Sequence, residues 1–178
     1  MKQIKDRLIV GNNLFKNKIA NNSKLKEIVE QQINGQSPYA LVITCSDSRV
    51  IPEEIFSTSL GELFVIRTAG NVVNEGELAS VEYGIRHLNI KYVLVLAHTH
   101  CGAIHAAIHH EKGQYLSPIL DNVSHNIATE KDEYKASCIN ALKQVDFLIE
   151  KFPDFDGIIE AGIYNIEDNS FSFIGESK

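Results

Sequence analysis

Three residues of the sequence have the types and the spacing of a metal site. Cys45 lies far upstream of His98, and Cys101 follows His98 in an H-x-x-C spacing, which lets one tight loop present an imidazole and a thiolate to the same point. Two thiolates and one imidazole form a tetrahedral donor set for zinc and leave its fourth position open, as a catalytic zinc requires. For each residue taken alone the alternative is packing, since a lone Cys is usually a small hydrophobe and H-x-x-C is a weak motif.

A carboxylate and a guanidinium follow the first of these residues directly, in the run CSDSR that begins at Cys45. An aspartate beside an arginine stays ionised and can be held by two parallel hydrogen bonds. Arg49 would therefore keep Asp47 charged and oriented toward a water on the metal, without letting the carboxylate coordinate the metal itself. This combination favours a catalytic site over a packing cluster.

The surrounding sequence predicts an α/β fold. Four short apolar segments have the pattern of strands buried on both faces, the last more weakly than the others: YALVITC, ELFVIR, KYVLVLA and GIIEAGIY. Between the second and third segments, four apolar residues fall on one helical face: Leu78, Val81, Ile85 and Leu88. Strands that alternate with helices predict a central, mainly parallel sheet of four to five strands flanked by helices.

The predicted strands place the candidate ligands at one edge of that sheet. Cys45 ends the first strand and His98 ends the third. In a parallel sheet both positions lie at the carboxyl edge, where open α/β folds have their ligand sites. If the two strands are neighbours, residues that are distant in sequence meet there.

The remaining segments predict one domain, residues 1–178, made of a helical arm at 1–34 and an α/β zinc-binding core at 35–178. Helical spacing of apolar residues predicts two helices in the arm, with a break and an N-cap at residues 21–23. Three further elements are predicted after the third strand: a short helix that ends at Gly113, a long amphipathic helix over about 132–152, and an edge strand at FSFI.

Composition excludes several classes of function. Among 178 residues, 17 are Lys or Arg and 23 are Asp or Glu, so the net charge is −6 and there is no basic face for nucleic acid. No apolar run approaches the roughly 20 residues that cross a bilayer, and Asp6 and Asn12 interrupt the N-terminus before a signal-peptide core could form. We therefore expect a cytoplasmic protein with no nucleic-acid or membrane partner.

The other cysteine and the histidines have simpler interpretations. Three cysteines are an odd number in a reducing compartment, so no disulfide framework is expected, and Cys138 within the long helix is predicted to pack. His105 and His109 are four residues apart on a predicted helix and could pair on a second metal. The alternative is that they lie on a solvated face. His100 has no assigned role, and the sequence does not choose which histidine relays protons.

Four motifs in this order resemble the β-class carbonic anhydrases: CSDSRV-x-PE, GELFVIRTAGNVV, SVEYGIRHL and HTHCGA. The resemblance is strongest over residues 36–107. It implies that Cys45, His98 and Cys101 bind one zinc ion per subunit and that Asp47 and Arg49 form a dyad beside it. The implied activity is reversible hydration of CO₂ to bicarbonate and a proton, by attack of a zinc-bound hydroxide that the dyad orients. The alternatives are a carbonyl sulfide or carbon disulfide hydrolase with the same ligands, and a non-catalytic zinc-binding protein.

Within that family, the sequence is more similar to the always-open, plant-like type. The other type has a Trp and a Gly where this chain has Val42 and Thr44, and Gln36 begins a Gln-Ser-Pro run of the plant-like type. The resemblance therefore implies a resting site in which Asp47 stays off the zinc.

The resemblance also implies a substrate pocket and an oligomer. The residues that match the family's pocket are Gln36, Phe64, Tyr83 and Ala69, the last of which stands where the plant-like type has a Val. Phe64 and Tyr83 would line the site partly from a neighbouring subunit. Gly102 is expected to let the loop turn closely under the metal. We expect a homodimer or a dimer-based higher oligomer, with the N-terminal helices packing on the neighbouring subunit.

Overall fold

The computed structural model describes residues 2–175, which form two compact units that meet in the sequence at Gln36 and Ser37. The first unit contains the two predicted helices, α1 (Lys2–Ala20) and α2 (Ser23–Gln32). Asn22 caps α2, because its side-chain oxygen accepts a hydrogen bond from the Leu25 backbone N–H at 3.1 Å. No residue of either helix is buried. The single domain with an arm at 1–34 and a core at 35–178 stays a prediction.

The second unit is built on a five-stranded sheet with the order β2-β1-β3-β4-β5. The first four strands are parallel, and β5 pairs antiparallel with β4. This confirms the predicted mainly parallel sheet and its C-terminal edge strand. The strands are β1 (Ala40–Cys45), β2 (Leu63–Thr68), β3 (Tyr92–His98), β4 (Ile158–Tyr164) and β5 (Phe171–Phe173).

Position in the sheet explains how deeply each strand is buried. Every residue of β1 is buried, since β2 and β3 flank it and apolar side chains cover both faces. The segment ELFVIR was predicted to be buried in the same way, and this prediction is wrong. In β2 only Ile66 is buried, because β2 is an edge strand with a neighbour on one side only.

Helices connect the strands, and two of them were not predicted. The helices are α3 (Pro52–Ile55), α4 (Glu75–Glu82), α5 (Gly102–Ile108), α6 (Ser117–Ile127) and α7 (Glu133–Lys151). Sequence analysis missed α3 and α6. The buried residues of α6, Leu120, Val123 and Ile127, have helical spacing that could have revealed it. None of the helices among residues 2–175 has the length and apolar character needed to cross a membrane.

Two helices differ in detail from their predicted form. The amphipathic segment after β2 is α4 followed by a π-helical turn at Tyr83–His87, and both Val81 and Ile85 are buried, so the apolar face continues through the turn. The short helix α5 ends before His110 rather than at Gly113, because His110 adopts a left-handed backbone with φ 54°. The long helix α7 covers the predicted segment, and the structure adds that the Asp132 side chain caps its N-terminus.

Candidate metal centre

The carboxyl ends of β1 and β3 bring the three predicted ligands together. The two strands are neighbours in the sheet, and the donor atoms of Cys45, His98 and Cys101 all lie within 4.8 Å of one another. All three residues are buried, and the two sulfurs lie in an apolar cluster that includes Val72 and Ile104. Among the described residues, this is the only group of three or more Cys, His, Asp or Glu side chains close enough to hold a metal ion.

The distance between the two sulfurs fits a zinc site. Cys45 Sγ and Cys101 Sγ are 3.9 Å apart, whereas a disulfide would need about 2.0 Å. Two thiolates at about 2.3 Å from one tetrahedral zinc ion lie about 3.8 Å from each other. The donor set is therefore already spaced for the metal.

His98 presents a free nitrogen in this cluster. Its ring is 1% exposed, and its Nδ1 lies 2.8 Å from the Thr99 carbonyl oxygen. A carbonyl only accepts, so Nδ1 carries the hydrogen and Nε2 carries the lone pair. Nε2 is buried and has no hydrogen-bond partner within the protein. A buried nitrogen without a partner is costly, and the second ring nitrogen of a metal-binding histidine is commonly held by a carbonyl in this way.

The two thiols share one proton when no metal is bound. The hydrogen bond from Cys101 lowers the pKa of Cys45 to about 4, against the opposing effect of burial. The Gly70 backbone N–H also donates to Cys45 Sγ, at 3.3 Å. The pKa of Cys101 is raised, because it donates to Cys45 and is buried. Cys45 is thus the thiolate and Cys101 the thiol.

Asp47 and Arg49 form the predicted two-point contact beside the cluster. Arg49 Nε donates to Asp47 Oδ1 at 3.0 Å, and Arg49 Nη2 donates to Asp47 Oδ2 at 2.7 Å. These bonds hold the pKa of Asp47 well below its usual range. Arg49 Nη2 also donates to the His100 carbonyl at 3.1 Å, which links the loop after β1 to the loop after β3.

Arg67 is a supporting residue that sequence analysis missed. Its guanidinium, which extends from β2, donates to three carbonyls of the segment after β1: Cys45 O at 3.2 Å, Asp47 O at 2.7 Å and Val50 O at 2.9 Å. It therefore holds the backbone that carries both a metal ligand and the Asp47 carboxylate. An arginine within an otherwise apolar strand was the signal that could have found it.

A buried amide from α7 supports the other side of the cluster. Gly70 has φ 66°, a left-handed backbone that suits glycine, and its carbonyl accepts from Asn140 Nδ2 at 2.9 Å. Asn140 is 0% exposed, and its Oδ1 accepts from Asn126 Nδ2 at 2.9 Å. This network fixes the Gly70 N–H that faces Cys45. Sequence analysis missed it too, although an Asn on the buried side of an amphipathic helix was a usable signal.

The structure does not bring every predicted pocket residue to the metal. Phe64 pairs in register with Leu41, four residues before Cys45, so it lies about 13 Å along the strand from the ligand end. Tyr83 packs against Phe64, with ring centroids 6.1 Å apart. Their contribution to a neighbouring subunit's site stays a prediction.

The other predicted pocket residues, Ala69, Gln36 and Gly102, lie in different parts of the structure. Ala69 directly precedes Gly70, next to the ligands, and Gln36 belongs to the first compact unit. A Cβ at Gly102 would meet no heavy atom within 4 Å, so the expected steric need for glycine there has no support. Cys138 packs against the main apolar cluster, as predicted.

The sequence model of the family described as carbonic anhydrase matches residues 40–152, which include every residue of the metal centre. A carbonic anhydrase of Helicobacter pylori is 30% identical over 195 residues, covering 86% of this chain and 88% of its own length. The chain belongs to the β-carbonic anhydrase family. Another family member, a carbonic anhydrase of Synechococcus elongatus, is 43% identical over 113 residues and 60% of this chain. The present chain spans only 42% of that relative's length.

Solved structures share the family's fold. One of two tetrameric β-carbonic anhydrases from Sordaria macrospora superposes with a TM-score of 0.83 at 22% identity, covering 100% of both chains. A carbon disulfide hydrolase superposes with a TM-score of 0.61 at 16% identity, covering 87% of this chain and 90% of its own. At these identities the likeness concerns the fold alone.

Proposed function

We propose that this chain catalyses the reversible hydration of CO₂, in which CO₂ and water give bicarbonate and a proton. One observation supports this most directly. A buried Cys-His-Cys group lies beside an aspartate whose two carboxylate oxygens are both held by Arg49. A packing cluster of two cysteines and a histidine would need neither the free His98 nitrogen nor the oriented carboxylate.

Cys45, His98 and Cys101 would hold one zinc ion per subunit. Zinc bound by three protein ligands supplies a Lewis acid that lowers the pKa of water at its open position. The negative charges of two thiolates offset the charge of Zn²⁺, so this donor set acidifies water less than three neutral imidazoles would. The neighbouring carboxylate compensates for that weaker effect.

Asp47 acts as the hydrogen-bond acceptor for the reacting water. Arg49 keeps Asp47 ionised and fixes the direction of its carboxylate, so the water's proton points to Asp47 and its lone pair toward the carbon of CO₂. Arg67 holds the backbone of the same segment. The proton released in the reaction passes to solvent.

We propose further that the site is of the always-open type, in which Asp47 does not ligate zinc. The bonds from Arg49 to both carboxylate oxygens support this, because coordination of the metal would break at least one of them. A crystal structure at mildly acidic pH should show Asp47 still paired with Arg49. Asp47 within coordination distance of the metal would contradict the proposal.

The pocket and the assembly complete the proposal. Ala69 and Gly102 would line the substrate site together with Gln36, and Phe64 and Tyr83 would come from a neighbouring subunit of a homodimer or larger dimer-based oligomer. The Sordaria macrospora proteins with this fold are tetrameric. A cytoplasmic location suits two cysteines that must stay reduced to bind zinc.

Stopped-flow measurement of CO₂ hydration on protein with one zinc per chain tests the activity. We expect hydration well above the buffer rate, and a rate equal to buffer would refute the proposal. Sulfide release from carbonyl sulfide and carbon disulfide should be measured on the same sample, since a carbon disulfide hydrolase shares the fold. Faster turnover of either sulfur compound than of CO₂ would favour that alternative, and no turnover of any substrate would favour a zinc-binding role.

A further inference from the structure

Two exposed histidine side chains stack at the C-terminal end of α5, His105 within the helix and His109 directly after it, apart from the metal centre. The ring centroids of His105 and His109 are 4.1 Å apart, with an angle of 30° between the ring planes. The residues are four positions apart, the spacing with which one helical face presents two imidazoles to a single metal ion. The His105 side chain is 52% exposed, so solvent ions reach the pair.

Hydrogen bonds set both rings in the same tautomer. His105 Nδ1 lies 2.7 Å from Glu133 Oε1, and His109 Nδ1 lies 2.8 Å from the His105 carbonyl oxygen. A carboxylate and a carbonyl both accept, so in each neutral ring Nδ1 carries the hydrogen and Nε2 keeps its lone pair. Histidines that bind metals are held in this way, by a carboxylate or a carbonyl on the second ring nitrogen. Glu133 comes from α7, so contacts from two helices orient the pair.

The distances suit one ion between the two rings. Imidazole nitrogens bind zinc at about 2.0–2.1 Å, so two nitrogens on one ion lie at most about 4.2 Å apart. Rings whose centroids are 4.1 Å apart can meet that limit by small side-chain rotations. The Glu133 carboxylate adds a negative charge that favours a cation nearby.

We propose that His105 and His109 bind a divalent transition-metal ion of the copper, nickel and zinc type through their Nε2 atoms. Imidazole donors favour these ions, and Cu²⁺ most strongly among them. Water fills the remaining coordination positions, and Glu133 is the positioning residue for His105. This second site lies outside the Cys45–His98–Cys101 group, and it does not depend on the proposed hydration of CO₂.

Electron paramagnetic resonance with Cu²⁺ tests the site directly. Untagged protein that already holds one zinc per chain receives one equivalent of Cu²⁺, and zinc content is measured before and after. We expect hyperfine coupling to two imidazole nitrogens with the zinc retained. A spectrum with one imidazole nitrogen or none, or a loss of zinc equal to the copper bound, would overturn the proposal without the need for any variant.

Variants assign the ligands. His105→Ala and His109→Ala should each weaken Cu²⁺ binding at least tenfold and abolish the two-nitrogen spectrum, and Glu133→Gln should weaken it about tenfold. His110→Ala is the matched control, since His110 is the adjacent exposed histidine, and should leave affinity and spectrum unchanged. If both His105→Ala and His109→Ala bind Cu²⁺ as the wild type does, the assignment is wrong.

Discussion

Cys45 and Cys101 differ in proton state although both sulfurs belong to the same cluster. The pKa of Cys45 is lowered to about 4 by the hydrogen bond from Cys101, and that of Cys101 is raised. Near neutral pH the apo site therefore contains one thiolate and one thiol, and the His98 Nε2 beside them has no partner within the protein. Metal binding must remove the remaining proton from Cys101.

Zinc binding should therefore release about one proton per ion near pH 7, rather than two. The raised pKa of Cys101 keeps this thiol protonated as the pH rises, whereas Cys45 has already lost its proton above about pH 4. Apparent zinc affinity should accordingly rise about tenfold per pH unit near neutrality. Calorimetric titration in buffers of different ionisation enthalpy counts the protons. A release of two per zinc would contradict the shared proton.

Asp47→Asn should retain zinc and lose about 10²-fold or more in turnover. The amide keeps the shape but loses the charge that pairs with Arg49 and accepts from the water. Metal analysis and stopped-flow hydration on one sample separate the two effects. Asp121→Asn, an exposed carboxylate on α6, is the control and should keep full activity. Full activity in Asp47→Asn would disprove the assigned role.

Cys101→Ala, by contrast, should lose the metal, because it removes one of the three ligands.

At the level of elements, the site depends on contacts between segments that are far apart in sequence. The segment after β1 is held from β2 by Arg67, and the turn that carries Gly70 is held from α7 by Asn140. Thr99, after β3, donates its backbone N–H to the Tyr164 carbonyl at the end of β4. Each strand end that contributes a ligand thus has a partner on another element, which makes the ligand positions rigid before metal binds.

Arg67→Ala should lower the free energy of unfolding by about 1–3 kcal/mol, because three carbonyls lose a charged donor. It should also lower kcat, since the backbone that carries Asp47 is no longer held. Arg86→Ala is the matched control. Arg86 makes an exposed two-point contact with Asp154, so its loss should cost less stability than the loss of Arg67 and leave kcat unchanged. Chemical denaturation and stopped-flow rates distinguish the two variants, and equal effects would argue against a role for Arg67 at the site.

At the scale of the whole molecule, the N-terminal helices carry apolar side chains that are exposed in the single chain. Ile4 is 65% exposed and Leu8 is 70% exposed, and no residue of α1 or α2 is buried. Exposed apolar residues in such number are typical of a surface that another protein covers. In the proposed homodimer, the neighbouring subunit would cover these apolar side chains.

Sedimentation equilibrium at micromolar concentration should give a mass of at least twice 19.9 kDa. Leu8→Glu should shift the distribution toward the monomer, because a charge replaces an apolar side chain on α1. Asn13→Glu changes the charge of the same helix equally without removing an apolar residue, and should leave the distribution unchanged. A wild-type monomer at this concentration would contradict the proposed assembly.

The sequence alone was enough to predict the donor types, the succession of strands along the chain, and the positions of Cys45 and His98 at the ends of β1 and β3. These depend on local patterns, namely apolar runs, turn residues and the CSDSR and H-x-x-C motifs. It also predicted an N-cap for α2 within residues 21–23, where the structure shows Asn22 as the cap, and the edge strand β5.

The remaining features are visible only in the folded chain. It shows which thiol holds the proton, that His98 Nε2 is free, and that Arg67 and Asn140 support the ligands. It also shows that β2 is an edge strand and that Phe64 lies about 13 Å along the strand from the ligand end. Each of these features depends on a partner distant in the chain, and burial, hydrogen bonding and proton affinity take their values only when those partners are in contact.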